Sequence, residues 1–191
     1  MAIDSFMAFQ KYDGSWLEAE SQVDLSKNSN DQLWQKPVAL QEGKVFEVDD
    51  YSFDVEQTLS IGSQSRGAGA GKITFNPFSI TRKIDKASPL MYKMACNGTP
   101  FQMVVLMLRK AAGTEATGSF FLRFNFKLVA IKTISWSHDD ESPKEEMTFE
   151  YGALFMSYGI QEPSGEVKTV IQRGWNRVKN VGLDTGIEDI K

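Results

Sequence analysis

Residues Ala70 to Ala112 read AGKITFNPFSITRKIDKASPLMYKMACNGTPFQMVVLMLRKAA, and this run holds a strand, a short helix and a second strand in succession. In its first part Ile73 and Phe75 alternate with Thr74 and Asn76, after which the apolar phase shifts to Phe78, Ile80 and Ile84. The shift falls at Asn76-Pro77, which predicts a bulge or an edge position because proline cannot donate to a ladder. A helix is expected to start at Ser88, whose hydroxyl suits a free first-turn N–H, with Pro89 at the first helical position. Leu90, Met91, Met94 and Ala95 share one predicted face, and Asn97-Gly98 supplies a left-handed stop. The strand Phe101 to Lys110 then places Met103, Val105 and Met107 on one side and Val104, Leu106 and Leu108 on the other. Both of its faces require burial.

Around this block the chain reads almost wholly as strands. Ala2 to Gln10 alternates and ends at the Asp13-Gly14 turn, and Val45 to Ile61 has a period of two with Tyr51, Phe53, Val55, Leu59 and Ile61 on one face. Residues 62–71, GSQSRGAGAG, form a flexible connection. A long strand follows the turn at 114–118, with Phe120, Leu122, Phe124, Phe126, Leu128, Ile134 and Trp136 in one phase and Arg123, Asn125 and Lys127 in the other. The acidic loop SHDDESPKEE leads to a strand over 147–161, which is apolar on both faces from Leu154 to Met156. A last strand covers 167–175. The stretch from about 21 to 42 is polar and is read as an inserted loop, with a short helix over 31–35. Residues 182–191 form a polar tail, which leaves 1–181 as a single domain.

The bulk properties narrow the function. A chain of 191 residues with 41% hydrophobic and 12% aromatic content builds one folded core, and a net charge of −4 gives no basic field for nucleic acid. The longest apolar run is far too short to span a bilayer. The amino terminus lacks a basic segment followed by an apolar run, so the expectation is a cytoplasmic start without a cleavable signal. The single cysteine, Cys96, is expected as a small buried hydrophobe on the helix.

Motifs that invite chemistry fail on spacing. A phosphate-cradling loop needs glycine and Ser/Thr where Arg66 and Ile73 stand around Gly71-Lys72, and a strand follows instead of a helix. Lys72 also occupies the third-glycine place of a dinucleotide fingerprint. His138, the sole histidine, adjoins Asp139, Asp140 and Glu141, but a hydrophilic hairpin provides neither a nucleophile nor an orienting group. One His and one Cys argue against structural zinc. Arg173, Trp175, Arg177 and Lys179 mix basic and aromatic character, which a terminal strand with one buried Trp and exposed charges explains. The expectation is therefore no enzyme, no cofactor and no metal.

About seven strands and one helix predict a mainly β fold, an antiparallel β-barrel of two packed sheets with one short flanking α-helix. Strands apolar on both faces need cover beyond one barrel, which points to oligomerisation. A ligand- or carbohydrate-binding β-barrel is the alternative, with Trp34, Trp136 or Trp175 lining a pocket.

The order of parts resembles the haemolysin-coregulated protein (Hcp) family, the tail-tube component of type VI secretion systems. The residues that carry the resemblance are AIDSFMAF, the loop ending Ala70-Gly71-Lys72, ITRKIDKASPLMYKMACNG, the strand ending Leu108-Arg109-Lys110-Ala111, TFEYGALFMSYGIQ, and the closing Gly174-Trp175-Asn176. They span most of the chain outside about 21–42 and the tail after 181. The resemblance implies six protomers closed into a ring, rings stacked into a hollow tube, export without a cleaved signal, and small effectors carried in the lumen. Its implied partners are further copies of the chain, the sheath, the spike and effector proteins, with no nucleic acid and no membrane insertion. It assigns an inter-ring contact to Gly62, Arg66, Gly67, Gly69, Gly71 and Lys72. Ser88, Pro89, Leu90, Met91 and Met94 of the helix, with Met103, Val105 and Met107, become candidates for the subunit interface, and the polar insertion is the departure from the family pattern.

Overall fold

The computed structural model describes residues 3–23, 25, 43–60, 69–110, 118–138, 142–162 and 167–184. The expected first strand is β1 (Ile3–Gln10). The single strand expected over 45–61 is divided into β2 (Phe46–Glu47), β3 (Asp50–Ser52) and β4 (Val55–Ser60). The strand expected from residue 72 is likewise two, β5 (Gly69–Phe75) and β6 (Phe78–Lys83). Then come α1 (Ser88–Asn97), β7 (Phe101–Lys110), β8 (Phe120–His138), β9 (Pro143–Gln161), β10 (Val167–Asn176) and β11 (Val181–Leu183).

All pairings are antiparallel. The main sheet runs β11-β10-β9-β8-β7-β1-β2, while β6 pairs with the other part of β9 and β3 pairs with β6. A closed barrel is the expectation from the sequence, and the ladder does not close. The chain between β2 and β3 changes partners instead: Val48 N–H donates to the Ser5 carbonyl at 3.0 Å and Asp49 N–H to the Thr81 carbonyl at 2.9 Å. Two residues with divergent partners cannot form a continuous rung, so the sheet stays open there.

The Asn76-Pro77 phase shift also resolves differently from a bulge or an edge. It marks where the chain leaves a separate two-stranded arm, β4 with β5, and enters the main sheet as β6. Opposite it, Phe53-Asp54 makes the same transition from β3 to β4, and Asn76 N–H donates to the Asp54 carbonyl at 3.1 Å.

The main core lies between the two parts of the sheet. Phe9, Phe78, Phe101, Phe126 and Phe149 are at most 1% exposed, and their rings interlock at centroid distances such as 5.1 Å for Phe9–Phe101 and 4.6 Å for Phe78–Phe126. Each such burial stabilises by roughly 1.5–3 kcal/mol. A second core forms on the opposite face of β1 and β7, from Phe6, Ala8, Val105, Met107, Leu25, Val45, Phe120 and Val167. Both faces of β7 are thus covered by the protomer itself.

Three irregularities direct β8 into both cores. Leu108 pairs with Leu122 but Arg109 with Phe120, so Phe121 is an extra residue and Phe120 turns to the second core. Leu128 then has φ +52 and is 48% exposed, while Val129 and Ile131 take over the core face. Its neighbour across the strand pair is Gly152, whose added Cβ would lie 3.1 Å from Leu128 Cβ. A register shift between Ile131 and Thr133 restores the original phase, and Ile134 packs against the main core again. The expected inward position of Leu128 is therefore wrong, while Ile134 keeps its face because the two changes cancel.

Candidate functional site

Helix α1 is fixed to the sheet by buried charges. Arg82 on β6 and Glu145 on β9 are 1% and 0% exposed, and Arg82 Nη2 donates to Glu145 Oε1 at 2.7 Å. Arg82 Nη1 lies 2.9 Å from Asp85 Oδ1, and Nη2 also donates to Ser88 Oγ at 3.0 Å. Trp136 Nε1 donates to the second Glu145 oxygen at 2.9 Å. The guanidinium also stacks over the Phe46 ring, 5.0 Å from its centroid. Such pairs are expensive to break because the surviving charge stays buried.

This network alters the reading of the helix start. Ser88 is the first helical residue and makes no first-turn cap; its hydroxyl accepts from Asp85 N–H at 3.2 Å and joins the Arg82–Glu145 pair. Pro89 follows it, exposed. Met91 and Met94 are buried in the main core as expected, but Leu90 is 40% exposed. Cys96 is exposed as well, contrary to expectation, since it lies two residues past Met94 and so off the face of Ser88, Met91 and Met94. The stop at Gly98 has φ +68, with Thr99 N–H donating to the Met94 carbonyl at 3.0 Å.

Gly62, Arg66 and Gly67 lie outside the described residues. Gly69, Gly71 and Lys72 belong to β5 and not to a flexible connection, with Gly69 opposite Ser60 and Ala70 opposite Leu59. Along the near half of the arm, residues 54–58 are all exposed. Met103, Val105 and Met107 face the second core, where Val105 and Met107 are 0% exposed and Met103 is partly buried. The polar segment near residue 21 supplies part of that cover through Val23 and Leu25. Most of the rest of that insertion, including the helix expected over 31–35 and Trp34, lies outside the described residues.

The closing Gly174-Trp175-Asn176 has a local explanation. A Cβ on Gly174 would stand 2.8 Å from the Leu154 carbonyl oxygen and closer still to the Phe155 ring, so only glycine fits. Trp175 packs on the main core, and Asn176 is buried with its side-chain oxygen accepting from Lys179 N–H at 2.9 Å. Arg173 is exposed 3.6 Å from Asp184, and Arg177 donates to Glu150 at 2.9 Å. That hydrogen bond, reinforced by Lys132, holds the Glu150 carboxyl below its ordinary range. Burial pushes the Tyr151 phenol up to about 12.

The surface missing from the sequence reading is an apolar strip on β9 and β10. Met156, Tyr158, Ile160 and Ile171 are 44–54% exposed, and Ile171 is the register partner of Tyr158. The signal was present in the apolar residues on both phases after Leu154, yet alternation alone could not tell which phase the protomer covers. Contiguous exposed side chains of this size mark interaction surfaces.

His138 ends β8, exposed and opposite Pro143, and its acidic neighbours 139–141 lie outside the described residues. Among the described residues no group of three or more His, Cys, Asp or Glu is placed to hold a metal, and no helix is long and apolar enough to cross a membrane.

Residues 39–158 match the family model described as type VI secretion system effector, Hcp. The chain belongs to the Hcp family. Solved structures agree on the fold. A type six secretion system protein superposes with a TM-score of 0.75 at 21% identity, over 95% of this chain and 100% of that one. Hcp1 from Salmonella typhimurium gives 0.65 at 19% identity, covering 96% and 100%. Hcp3 from Pseudomonas aeruginosa gives 0.58 at 17%, covering 90% and 97%. Among curated proteins nothing matches the sequence. The Hcp family match includes the arm, α1 and the Arg82–Glu145 network, and it ends within the apolar strip at Tyr158.

Proposed function

We propose that this chain is a structural tail-tube component of a type VI secretion system and not an enzyme. Six protomers close into a ring, rings stack into a hollow tube, and the tube leaves the cell through the contractile apparatus, carrying or chaperoning effectors in its lumen. Sheath, spike and small effector proteins are its partners, and residues 1–181 act as one domain. Membership of the Hcp family carries this reading. The apolar strip on β9 and β10 supports it physically, because a second copy would remove those side chains from water.

The subunit-interface assignment then moves outward. Val105, Met107, Met91 and Met94 are consumed by the protomer's own cores, whereas Met156, Tyr158 and Ile171 remain for a neighbour. The arm that leads to residues 62–68 contributes the inter-ring contact, with Gly69, Gly71 and Lys72 in its returning strand. Sedimentation velocity on the full chain is expected to give a hexamer; a monomer at high concentration would overturn the ring. Gly69→Pro removes an N–H from the arm and is expected to impair stacking while leaving single rings intact.

The ligand-binding barrel is disfavoured by packing. Aromatic rings fill the space between the two parts of the sheet, where such a protein would hold its ligand.

A further inference from the structure

The start of α1 and the end of β8 border a surface cleft of about 380 Å³, lined by Ile84, Asp85, Ser88, Pro89, Tyr92 and Trp136. Tyr92 and Trp136 are its aromatic walls: their ring centroids lie 5.8 Å apart at an interplanar angle of 59°, and each side chain is about half exposed. Aromatic faces carry negative potential, tryptophan's most strongly. The Trp136 indole N–H already donates to Glu145 Oε2 at 2.9 Å, so this residue offers an occupant its ring and not its donor. A carboxylate accepting that bond polarises the indole further.

The charges that build the cleft are unequal. Asp85 is the one charged residue of its lining among the described residues, and the buried Arg82 meets two carboxylates, Asp85 at 2.9 Å and Glu145 at 2.7 Å. One guanidinium cannot cancel both, and burial of Arg82 and Glu145 limits screening by salt. Lys83, Lys86 and Lys93, the cations adjacent in the chain, are not part of the lining, and Lys86 is drawn to Glu18 at 3.6 Å. Both Glu145 oxygens are engaged, Oε1 by Arg82 and Ser88 and Oε2 by Trp136. The excess negative charge therefore acts on an occupant as a field and not through a hydrogen bond from Glu145. A sugar needs partners for its hydroxyls, whereas a quaternary ammonium group needs only the field and the aromatic faces.

We propose that this cleft binds a small free quaternary ammonium compound, its cationic head held by the Tyr92 and Trp136 rings and drawn by the excess carboxylate charge. The site stands on one protomer and goes beyond the tube reading. Saturation-transfer NMR on the full-length protein tests it with choline and its uncharged carbon isostere, dimethylbutanol, as probes. Choline is expected to bind saturably, in about the millimolar range that so few atoms allow, and about fivefold tighter than dimethylbutanol, the margin of one exposed cation–π contact. Tyr92→Leu should weaken choline about threefold to fivefold and leave dimethylbutanol within about twofold, with the helix intact because leucine is a strong helix former. Trp136→Leu should remove the preference for choline. Absence of saturable choline binding, equal affinity for the two probes, or undiminished choline binding to Tyr92→Leu would overturn the proposal. Co-sedimentation with phosphatidylcholine vesicles that Trp136→Leu abolishes would overturn the free compound as the occupant.

Discussion

The α1 end and the β9–β10 end of this protein solve the problem of an exposed sheet face in opposite ways. At the first, the chain folds its own helix over the sheet and anchors it with a salt bridge at 2.7 Å that has almost no contact with water. At the second, four large apolar side chains stay 44–54% exposed. The first end pairs its buried charges within the protomer, with Leu90 and Trp136 at its rim 40% and 50% exposed, and its chemistry concerns stability. The second leaves apolar surface in water, and under the proposed function its chemistry concerns association. A Phe or Leu reads identically in the sequence at either end, so the difference lies in which surfaces the chain can reach.

The largest test strikes the α1 end. Glu145→Ala should cost about 3–5 kcal/mol by leaving Arg82 buried and unmatched. For a domain of this size that lowers the thermal midpoint by about 6–20 °C. Replacing Arg82 and Glu145 together by Met and Leu should recover most of that loss, which differential scanning calorimetry would show. A single-variant loss below about 1 kcal/mol would remove the contrast between the two ends. Ile171→Glu strikes the β9–β10 end: denaturant unfolding of the protomer should change by at most about 0.5 kcal/mol, while sedimentation shows association lost. The reverse pattern would make the strip a folding element.

The smallest effect concerns Arg177 and Glu150, a half-exposed pair worth less than about 1 kcal/mol after solvent screening. Because the folded carboxyl titrates below its ordinary value, its contribution is present above the ordinary carboxylate range and disappears as pH falls through the lowered value. Arg177→Gln should therefore flatten the acid limb of stability against pH slightly, in contrast to the buried pair.

Much of the architecture was legible because period-two alternation and helix stops are local. Gly98, the Phe101 to Lys110 strand and the antiparallel class all follow from nearby residues. The features that escaped are non-local. The closure of the barrel depends on partners of Val48 and Asp49, the Arg82–Glu145 bond joins residues 63 apart, and the phase change at Leu128 sets its side chain against Gly152 across the ladder. Of the candidate site, the helix and arm were visible as segments. Their division into covered and uncovered surface was not, because Val23 and Leu25 in an otherwise polar stretch supply cover for the second core.

The arm joined at Asp54 and Asn76 has a consequence for how this fold varies. Its ladder, β4 with β5, is separate from the main sheet, while β3 and β6 keep their own register behind it. Residues added in pairs to the arm lengthen one hairpin without sliding any strand of the core. Length and tip composition are therefore free to diverge among paralogues, or to be rewritten by an engineer grafting a foreign recognition loop, while the body of the protein is inherited unchanged.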